Sequence, residues 1–182
     1  VVEGDGVFEV PVGPVHAGVI EPGHFRFSIA GEPILNLEIR LGYLHRGVEK
    51  MLEAASPSKA LLMCERISGD NGVAHSLAYL QALESDTKVP EAIEYGRCAL
   101  AELERIHNHL GDIAGLALDT AFSVPAAELY SVKEKMLRLN QRLTGHRLLW
   151  GVMKVGGMRD VFTPEAVDEV QHRDHACRCL LS

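Results

Sequence analysis

The chain lacks a long apolar segment and an excess of positive charge. Its longest uninterrupted apolar run, residues 60–64, is far shorter than the roughly 20 residues that a membrane-spanning helix needs. No basic segment followed by an apolar one opens the chain, so we expect no signal peptide. The 182 residues carry 18 Lys and Arg against 25 Asp and Glu, a formal net charge of −7. This balance argues against a nucleic-acid partner, and membrane association is expected only through other subunits, without direct insertion.

The chain also has few cysteines and no glycine-rich phosphate loop. Residues 13–18 fit neither the dinucleotide nor the Walker spacing, so nothing supports binding of a nucleotide such as NAD. Cys64 and Cys98 lie in apolar helical stretches and are predicted to be small core residues in a reducing compartment, the cytoplasm. The cysteines are too few for a disulfide framework: Cys64, Cys98, Cys177 and Cys179.

Alternating apolar and polar residues predict a small antiparallel sheet near the N-terminus. Residues 7–12 are β-prone, and Pro11 confines this run to a sheet edge or a strand end. Residues 24–29 and 35–41 alternate on either side of the break at 31–33, which predicts a β-hairpin with one buried face.

Helical spacing replaces this alternation after about Arg46. We predict an α+β, predominantly helical fold, with a β-rich part (residues 1–45) followed by a helical bundle (46–182) in a single domain. Residues 150–158 are predicted to be irregular. The expected helices cover 46–55, 58–67, 73–84, 90 to at least 113, 125–145 and a last segment from 163.

Two groups of side chains have the spacing of metal ligands. Glu104-x-x-His107 and Glu169-x-x-His172 repeat the one-turn pair of di-iron helical bundles. The bridging carboxylates of such centres are not evident, and Glu and His on a solvated outer face is the simpler interpretation. Incidental donors at a chain end are likewise favoured over zinc ligands for a second group: His172, His175, Cys177 and Cys179. We predict that the chain binds no metal itself.

Two polar segments carry the most distinctive chemistry. Residues 65–75 join two helices through a break of small and polar residues that follows Arg66, and a helix N-terminus beside a positive charge suits an anion or a polarised ligand. A capped helix–helix turn is the simpler alternative. In the second segment, residues 13–27, a carboxylate lies between imidazoles in a loop held by Pro and Gly, which predicts a proton relay: His16, Glu21 and His24.

In these segments the chain resembles the large subunit of energy-converting nickel–iron hydrogenases of the formate hydrogenlyase type. It is equally similar to the quinone-site subunit of respiratory complex I. Family large subunits are much longer, so the resemblance covers only an N-terminal portion, about residues 10–160. The matching motifs are Gly13-Pro14-x-His16, residues 42–50, Glu65-Arg66-Ile67, Glu102-Leu103-x-Arg105-x-x-x-His109-Leu110, Thr144-Gly145-x-Arg147 and Gly156-Gly157.

Departures from the family pattern change the chemistry that the resemblance implies. In hydrogenases a C-x-x-C motif after the Arg-Ile pair gives two thiolates to nickel, but Ser68 and Asn71 occupy these positions. Neither offers a soft anionic sulfur, so no nickel–iron centre is expected. The complex I quinone lies between a His and a Tyr, whose positions hold Ile20 and Gly69, and a later His of that family falls on Leu149.

The resemblance still implies roles for several residues. Arg66 would lie beside the iron–sulfur cluster of a partner subunit and Asp119 near a quinone. Glu21 matches the hydrogenase glutamate that passes protons, with His16 and His24 nearby. The cofactor-binding set implied in this way is Arg66, Ser68, Gly69, Asp70, Asn71, His109 and Asp119.

The implied function is that of a subunit in a membrane-associated oxidoreductase complex of hydrogenase or NADH dehydrogenase type. The chain would be peripheral on the inner, cytoplasmic face of the cell membrane, held by a small iron–sulfur subunit and by membrane subunits. It would bind no cofactor of its own, face a [4Fe–4S] cluster in the partner, line a cavity for a quinone, and be inactive in isolation. Two alternatives remain: an active nickel–iron hydrogenase with unusual ligands, and a non-catalytic scaffold.

Overall fold

A computed structural model of the chain describes residues 2–16, 20–165 and 168. The fold is α+β and predominantly helical, as predicted, with an N-terminal antiparallel sheet followed by helices. The chain divides into two compact units, Val1–Gly47 and Val48–Ser182. No helix in the described part of the chain is long and apolar enough to span a membrane.

The first unit contains a three-stranded antiparallel sheet. Its strands are β1 (Val7–Val12), β2 (His24–Ala30) and β3 (Ile34–Arg40), in the order β1-β2-β3. The predicted hairpin is therefore confirmed as β2–β3, and β1, which contains Pro11, lies at the sheet edge as expected. Phe25 pairs with Val12 on one side and with Ile39 on the other, which places apolar side chains on a common face.

The expected burial of this apolar face is wrong. Phe8, Leu37 and Ile39 are 53%, 43% and 55% exposed, respectively. A single sheet buries a face only against a second layer, and the described residues of the first unit form no such layer. The opposite face is polar, with Arg26 between Glu9 and Glu38.

The described part of the second unit contains helices α1 to α5 and a short hairpin. Pro57 occupies the first turn of α2, where its missing N–H costs nothing, and Gly145 ends α5 at a φ of 82°. Residues 150–158 were expected to be irregular, but residues 153–158 form a hairpin, because a glycine turn brings two short strands together. The elements are α1 (Val48–Glu53), α2 (Pro57–Cys64), α3 (Gly72–Leu83), α4 (Glu91–Asp119), α5 (Ser123–Thr144), β4 (Met153–Lys154) and β5 (Gly157–Met158).

The core of the second unit lies where α2, α3, α4 and the segment after α5 meet. Cys64 is buried as predicted, whereas Cys98 is exposed and that prediction is wrong. Cys98 precedes the buried Leu100 by two positions, which rotates it about 200° around the helix. The buried apolar cluster consists of Leu61, Val73, Leu80, Leu100, Leu149, Val152, Met153 and Val161.

Helical spacing predicts an apolar stripe on α4 that consists of Ile93, Leu100, Leu103, Ile106, Leu110 and Ile113. The helix buries only part of this stripe, since Leu100 is fully buried but Ile106 and Ile113 are 43% and 54% exposed. The buried positions are largely polar instead: Arg97, Leu100, Glu104, His107 and Ala114. Glu104, one of these residues, contacts the backbone at the start of α3.

Candidate functional site

In the first unit, His16 closes the loop that leads into β2. Its Nε2 lies 2.7 Å from the Gly23 carbonyl oxygen, and its ring meets that of Phe25 edge-on at 5.4 Å. The Gly23 N–H donates to the Pro14 carbonyl at 3.0 Å. A Cβ on Gly13 would lie 2.6 Å from His16 Nε2, so this close approach requires glycine. The ring therefore has a structural contact in addition to any proton-transfer role.

The other two residues of the predicted relay are not bonded to His16. Glu21 is exposed, and His24 begins β2 opposite Arg40 with its side chain half-buried. Among the described residues, no hydrogen bond or ion pair joins Glu21, His16 and His24 to one another. The proton relay stays a prediction.

In the second unit, the 66–71 loop between α2 and α3 brings the predicted pocket residues together. The Ser68 hydroxyl donates to Asp70 Oδ1 at 3.2 Å, and Asn71 Nδ2 donates to Ser68 Oγ at 3.3 Å. Arg66 Nη1 donates to the Leu62 carbonyl at 2.5 Å and its guanidinium is exposed. The polar side chains of the loop thus bind mainly to one another and to neighbouring backbone.

Helix α4 holds this loop and the start of α3 through two polar side chains one turn apart. The Glu104 carboxylate accepts from the Val73 N–H at 2.7 Å and from the Ala74 N–H at 2.9 Å. It thereby supplies the N-terminal cap of α3 that Asn71 does not provide. Asn108 Nδ2 donates to the Asp70 carbonyl at 3.1 Å and to Asn71 Oδ1 at 2.9 Å.

Burial sets the protonation preferences of the α4 residues. Desolvation raises the pKa of Glu104, and the two backbone N–H donors oppose this rise. Desolvation lowers the pKa of His107, which is fully buried. The solvated-face interpretation of this pair is therefore wrong, and both Glu104 oxygens are taken up by backbone donors. No group of three or more potential metal ligands occurs within the described residues, and the Glu169, His172, His175, Cys177 and Cys179 candidates lie outside them.

Trp150 covers the other side of the loop. Its Nε1 donates to the Gly69 carbonyl at 3.1 Å, and the Arg66 guanidinium lies 5.0 Å from the ring centroid, within cation–π range. The His146 ring stacks on the indole with centroids 4.7 Å apart. A Cβ on Gly72 would lie 2.6 Å from Trp150 Nε1, so the indole occupies a place that only glycine leaves open.

A second buried carboxylate anchors the segment that carries Trp150. Glu65 is 3% exposed, and its Oε1 accepts from the Gly151 N–H at 2.6 Å. Desolvation raises the pKa of Glu65, while the Gly151 N–H and the positive charge of Arg66 lower it. The loop is thus held between α4 on one side and residues 146–151 on the other.

The remaining residues assigned by resemblance lie apart from this loop. His109 is exposed on α4 next to Asn108. Asp119 is the last residue of α4, ten positions further on, which corresponds to about 15 Å along the helix axis. Leu149 belongs to the apolar core. The structure therefore assembles Arg66 and residues 68–71 but does not add Asp119 to them.

Sequence reasoning missed the residues that position the loop. The sequence pattern indicates Glu104 only as half of a possible metal pair, and it indicates no role for Asn108 or Trp150. The available signal was the i, i+4 spacing of Glu104 and Asn108, which places both on one helix face. Trp150 offered no local signal, because its partners, Arg66 and Gly69, are about 80 positions away.

The side chains of the loop do not fit a nickel centre. Ser68 and Asn71 present a neutral hydroxyl and a neutral amide, already bonded to each other and to Asn108. Nickel in a hydrogen-activating site needs soft thiolate ligands. Of the two described cysteines, Cys64 is buried at the end of α2, where desolvation raises the pKa of its thiol, and Cys98 lies on α4.

Known proteins resemble the chain over most of its length. It is 36% identical over 153 residues to formate hydrogenlyase subunit 5 of Escherichia coli (strain K12), covering 82% of this chain and 27% of that protein. It is 30% identical to the membrane-bound hydrogenase subunit alpha of Pyrococcus furiosus, covering 83% and 36%. It is 33% identical to an NADH-quinone oxidoreductase subunit of Clostridium beijerinckii, covering 80% and 40%. No protein-family model matches.

The fold also matches a solved structure. A chain of the membrane-bound sulfane sulfur reductase, an archaeal respiratory membrane complex, superposes with a TM-score of 0.83 at 21% identity, covering 97% of this chain and 48% of that chain. This likeness shows the fold, and the three relatives confirm the resemblance predicted from the motifs. The chain spans well under half of the length of each relative. It is homologous to formate hydrogenlyase subunit 5 and to the NADH-quinone oxidoreductase subunit, and it belongs with them to one family.

Proposed function

We propose that the chain acts within a membrane-associated oxidoreductase complex and that its 66–71 loop lines an electron-accepting cavity. The support is twofold: the relatives carry hydrogenase and NADH-quinone oxidoreductase names, and the loop assembles the residues that the family motif assigns to the pocket. The complex would attach the chain to the inner face of the membrane through partner subunits.

One observation supports this proposal: Ser68 and Asn71, which by resemblance occupy the positions of the nickel thiolates, are hydrogen-bonded to each other. Hydroxyl and amide groups are poor ligands for nickel, so the pocket would pass electrons or protons without a transition metal of its own. The electrons would come from an iron–sulfur cluster in a partner subunit. A quinone is the proposed acceptor, because Arg66 and Asn71 offer N–H donors for its carbonyl oxygens.

Arg66 is the residue proposed to act on the partner's cluster. Its guanidinium is exposed at the edge of the loop, and the Trp150 ring and the Leu62 carbonyl fix its direction. A positive charge beside a cluster stabilises the reduced form by Coulomb attraction. The chain would therefore raise the reduction potential of the cluster that it faces.

Metal analysis and a charge-removing variant test the proposal on the full-length protein purified within its complex. We expect iron without stoichiometric nickel, and about one nickel per chain would overturn the proposal. Arg66→Met should lower the midpoint potential of the nearest cluster in a redox titration followed by electron paramagnetic resonance. Arg105→Met, which removes an exposed arginine paired with Glu102 on α4, is the matched control and should leave the potential unchanged.

The polar side chains of the loop satisfy one another, which also favours a second candidate function, a scaffold without an electron-transfer role. The same titration separates the two. An unchanged potential in Arg66→Met, together with an unchanged rate of electron transfer through the complex, would support the scaffold.

A further inference from the structure

His107 contains a buried polar atom without a partner directly behind the 66–71 loop. It lies on α4 between Glu104 and Asn108, the two residues that hold the loop, and its side chain is 0% exposed. Nδ1 lies 3.1 Å from the Leu103 carbonyl oxygen. Because a carbonyl only accepts, Nδ1 carries the proton and Nε2 is left with a lone pair. Nε2 makes no hydrogen bond of good geometry to any described residue, although the Asp70 backbone lies close enough to act on the ring as an acceptor.

Charged side chains on α5 and in the 66–71 loop lie near the His107 ring. Lys133 of α5 crosses α4 at Gly111, where an added Cβ would lie 2.3 Å from the lysine Nζ. Desolvation lowers the pKa of His107 and the charge of Lys133 lowers it further, whereas the Leu103 carbonyl and the backbone and carboxylate of Asp70 raise it. Glu104 is a further ionisable residue one turn away on α4. The ring is therefore neutral at pH 7.

We propose that the 66–71 loop closes over a neutral His107 and that uptake of a proton at Nε2 from solvent opens the loop. His107 thereby becomes a proton-sensitive positioning residue for the candidate site. A buried imidazolium lacks hydration, and the Asp70 carbonyl, which already accepts from Asn108, replaces that hydration poorly. Opening of the loop would return the charged ring to water.

Linkage fixes the direction of the effect. The pKa of His107 is lowered with the loop closed and moves back toward its ordinary value when the ring meets water, so a falling pH favours the open loop. The equilibrium constant for loop opening rises by up to about tenfold for each unit by which the pKa of His107 differs between the closed and the open loop. Glu104 acts in the opposite direction, because burial raises its pKa and its protonation favours closure.

Hydrogen–deuterium exchange of the full-length protein tests this inference. Exchange in peptides that cover residues 66–74 is measured from about pH 5 to pH 8 and corrected for the intrinsic pH dependence of amide exchange. We expect loop opening to increase on acidification in the natural protein. His107→Gln should abolish or reverse this increase, and His45→Gln, at an exposed histidine of the first unit, should retain it.

A second pair of variants keeps the test decisive if His107→Gln does not fold. Lys133→Met removes a positive charge that lowers the pKa of His107 with the loop closed, so the pKa difference between the two states shrinks and acid-induced opening should weaken. Lys135→Met changes an exposed lysine of the same helix and should leave the opening unchanged. Acid-induced opening that persists in His107→Gln, an undiminished opening in Lys133→Met, or closure on acidification of the natural protein would each overturn the inference.

The significance of this switch for catalysis rests on the proposed function, but the exchange measurement does not. Exchange responds to loop opening alone, whereas the Arg66→Met titration responds to the partner's cluster. A loop that opens as expected beside an unchanged cluster potential would refute the electron-transfer role and leave the His107 coupling in place.

Discussion

Each unit of the chain contains an arginine held by carboxylates, and the two settings differ in burial. On the sheet, Arg26 lies 2.5 Å from Glu38 and 3.6 Å from Glu9, with side-chain exposures of 26–35% in this cluster. In the helical unit, Arg97 donates to both oxygens of Glu84 at 2.6 and 2.9 Å, and these side chains are only 5% and 7% exposed. The chemistry of the pairs is the same, but their solvation is not.

The buried pair does more than join two side chains. Arg97 Nη2 also donates to the Lys154 and Gly157 carbonyls, and Glu84 accepts from the Gly156 N–H at 2.6 Å. Because water does not replace the partners of these buried polar atoms, the two side chains fix the β4–β5 hairpin against α3 and α4. The sheet cluster has solvent as an alternative partner. Buried polar groups therefore fix the geometry of the helical unit, whereas the ion pairs on the sheet remain in contact with solvent.

The largest expected effect comes from breaking the buried pair. Arg97→Met leaves the Glu84 carboxylate buried without its partner and should lower the free energy of unfolding of the full-length protein by about 3–5 kcal/mol, measured by urea denaturation. The double variant Arg97→Met with Glu84→Leu is the control and should recover part of this loss, because it removes the unpaired carboxylate but still leaves the Gly156 N–H and two hairpin carbonyls without their partners. A single variant that loses less than about 1 kcal/mol would contradict the comparison.

The same pair has a defined pH dependence. The hydrogen bond from Arg97 holds the pKa of Glu84 below its ordinary value of 4.5. A depressed carboxyl pKa contributes stability above the unfolded value and loses it as pH falls through the folded one. The double variant should therefore lose stability less steeply than the natural protein below about pH 4.5.

A second large effect is expected at the carboxylate that caps α3. Glu104→Ala leaves the Val73 and Ala74 N–H groups without their acceptor and should cost about 3 kcal/mol of unfolding free energy. Glu102→Ala, on the exposed face of the same helix and paired only with Arg105 at 3.2 Å, should cost less than about 0.5 kcal/mol. Similar losses in both variants would show that Glu104 does not hold the helix start.

The sequence predicted the sheet better than the helical site, for a physical reason. Alternation and the Gly31–Pro33 break are local signals, and they sufficed to predict β2, β3 and the edge position of β1. They did not predict the exposure of Leu37 and Ile39, because burial of a face depends on what packs against it. Motif resemblance located the 66–71 loop.

Hydrophobic periodicity predicted only part of the buried face of α4, because that face carries charge. Leu100 of the predicted stripe is buried, but Ile106 and Ile113 are exposed. Glu104 and His107 are buried in their place. Polar residues become buried only when partners elsewhere in the chain satisfy them, and those partners are backbone groups that no residue pattern reveals. For the same reason the sequence did not predict the role of Trp150, whose Nε1 donates to the Gly69 carbonyl.

A smaller effect is expected where the loop approaches the indole. Gly72→Ala places a Cβ 2.6 Å from Trp150 Nε1 and 3.0 Å from the Glu65 carbonyl oxygen. Overpacking of this kind should cost about 1–3 kcal/mol and displace the indole, which tryptophan fluorescence would report for this single Trp. Gly69→Ala is the matched control, since its Cβ would meet nothing within 4 Å. An unshifted emission in Gly72→Ala would refute this close contact.

The smallest expected effect lies on the sheet and completes the comparison. Arg26→Gln removes the partly exposed cluster with Glu9 and Glu38 and should lower the free energy of unfolding only slightly, because water replaces the lost partner. This loss should shrink further in about 1 M salt, where charges at the surface are screened, whereas the loss in Arg97→Met should persist because a buried pair is screened much less. A loss in Arg26→Gln as large as that in Arg97→Met, or an equal salt response in the two variants, would mean that burial does not distinguish the two arginines.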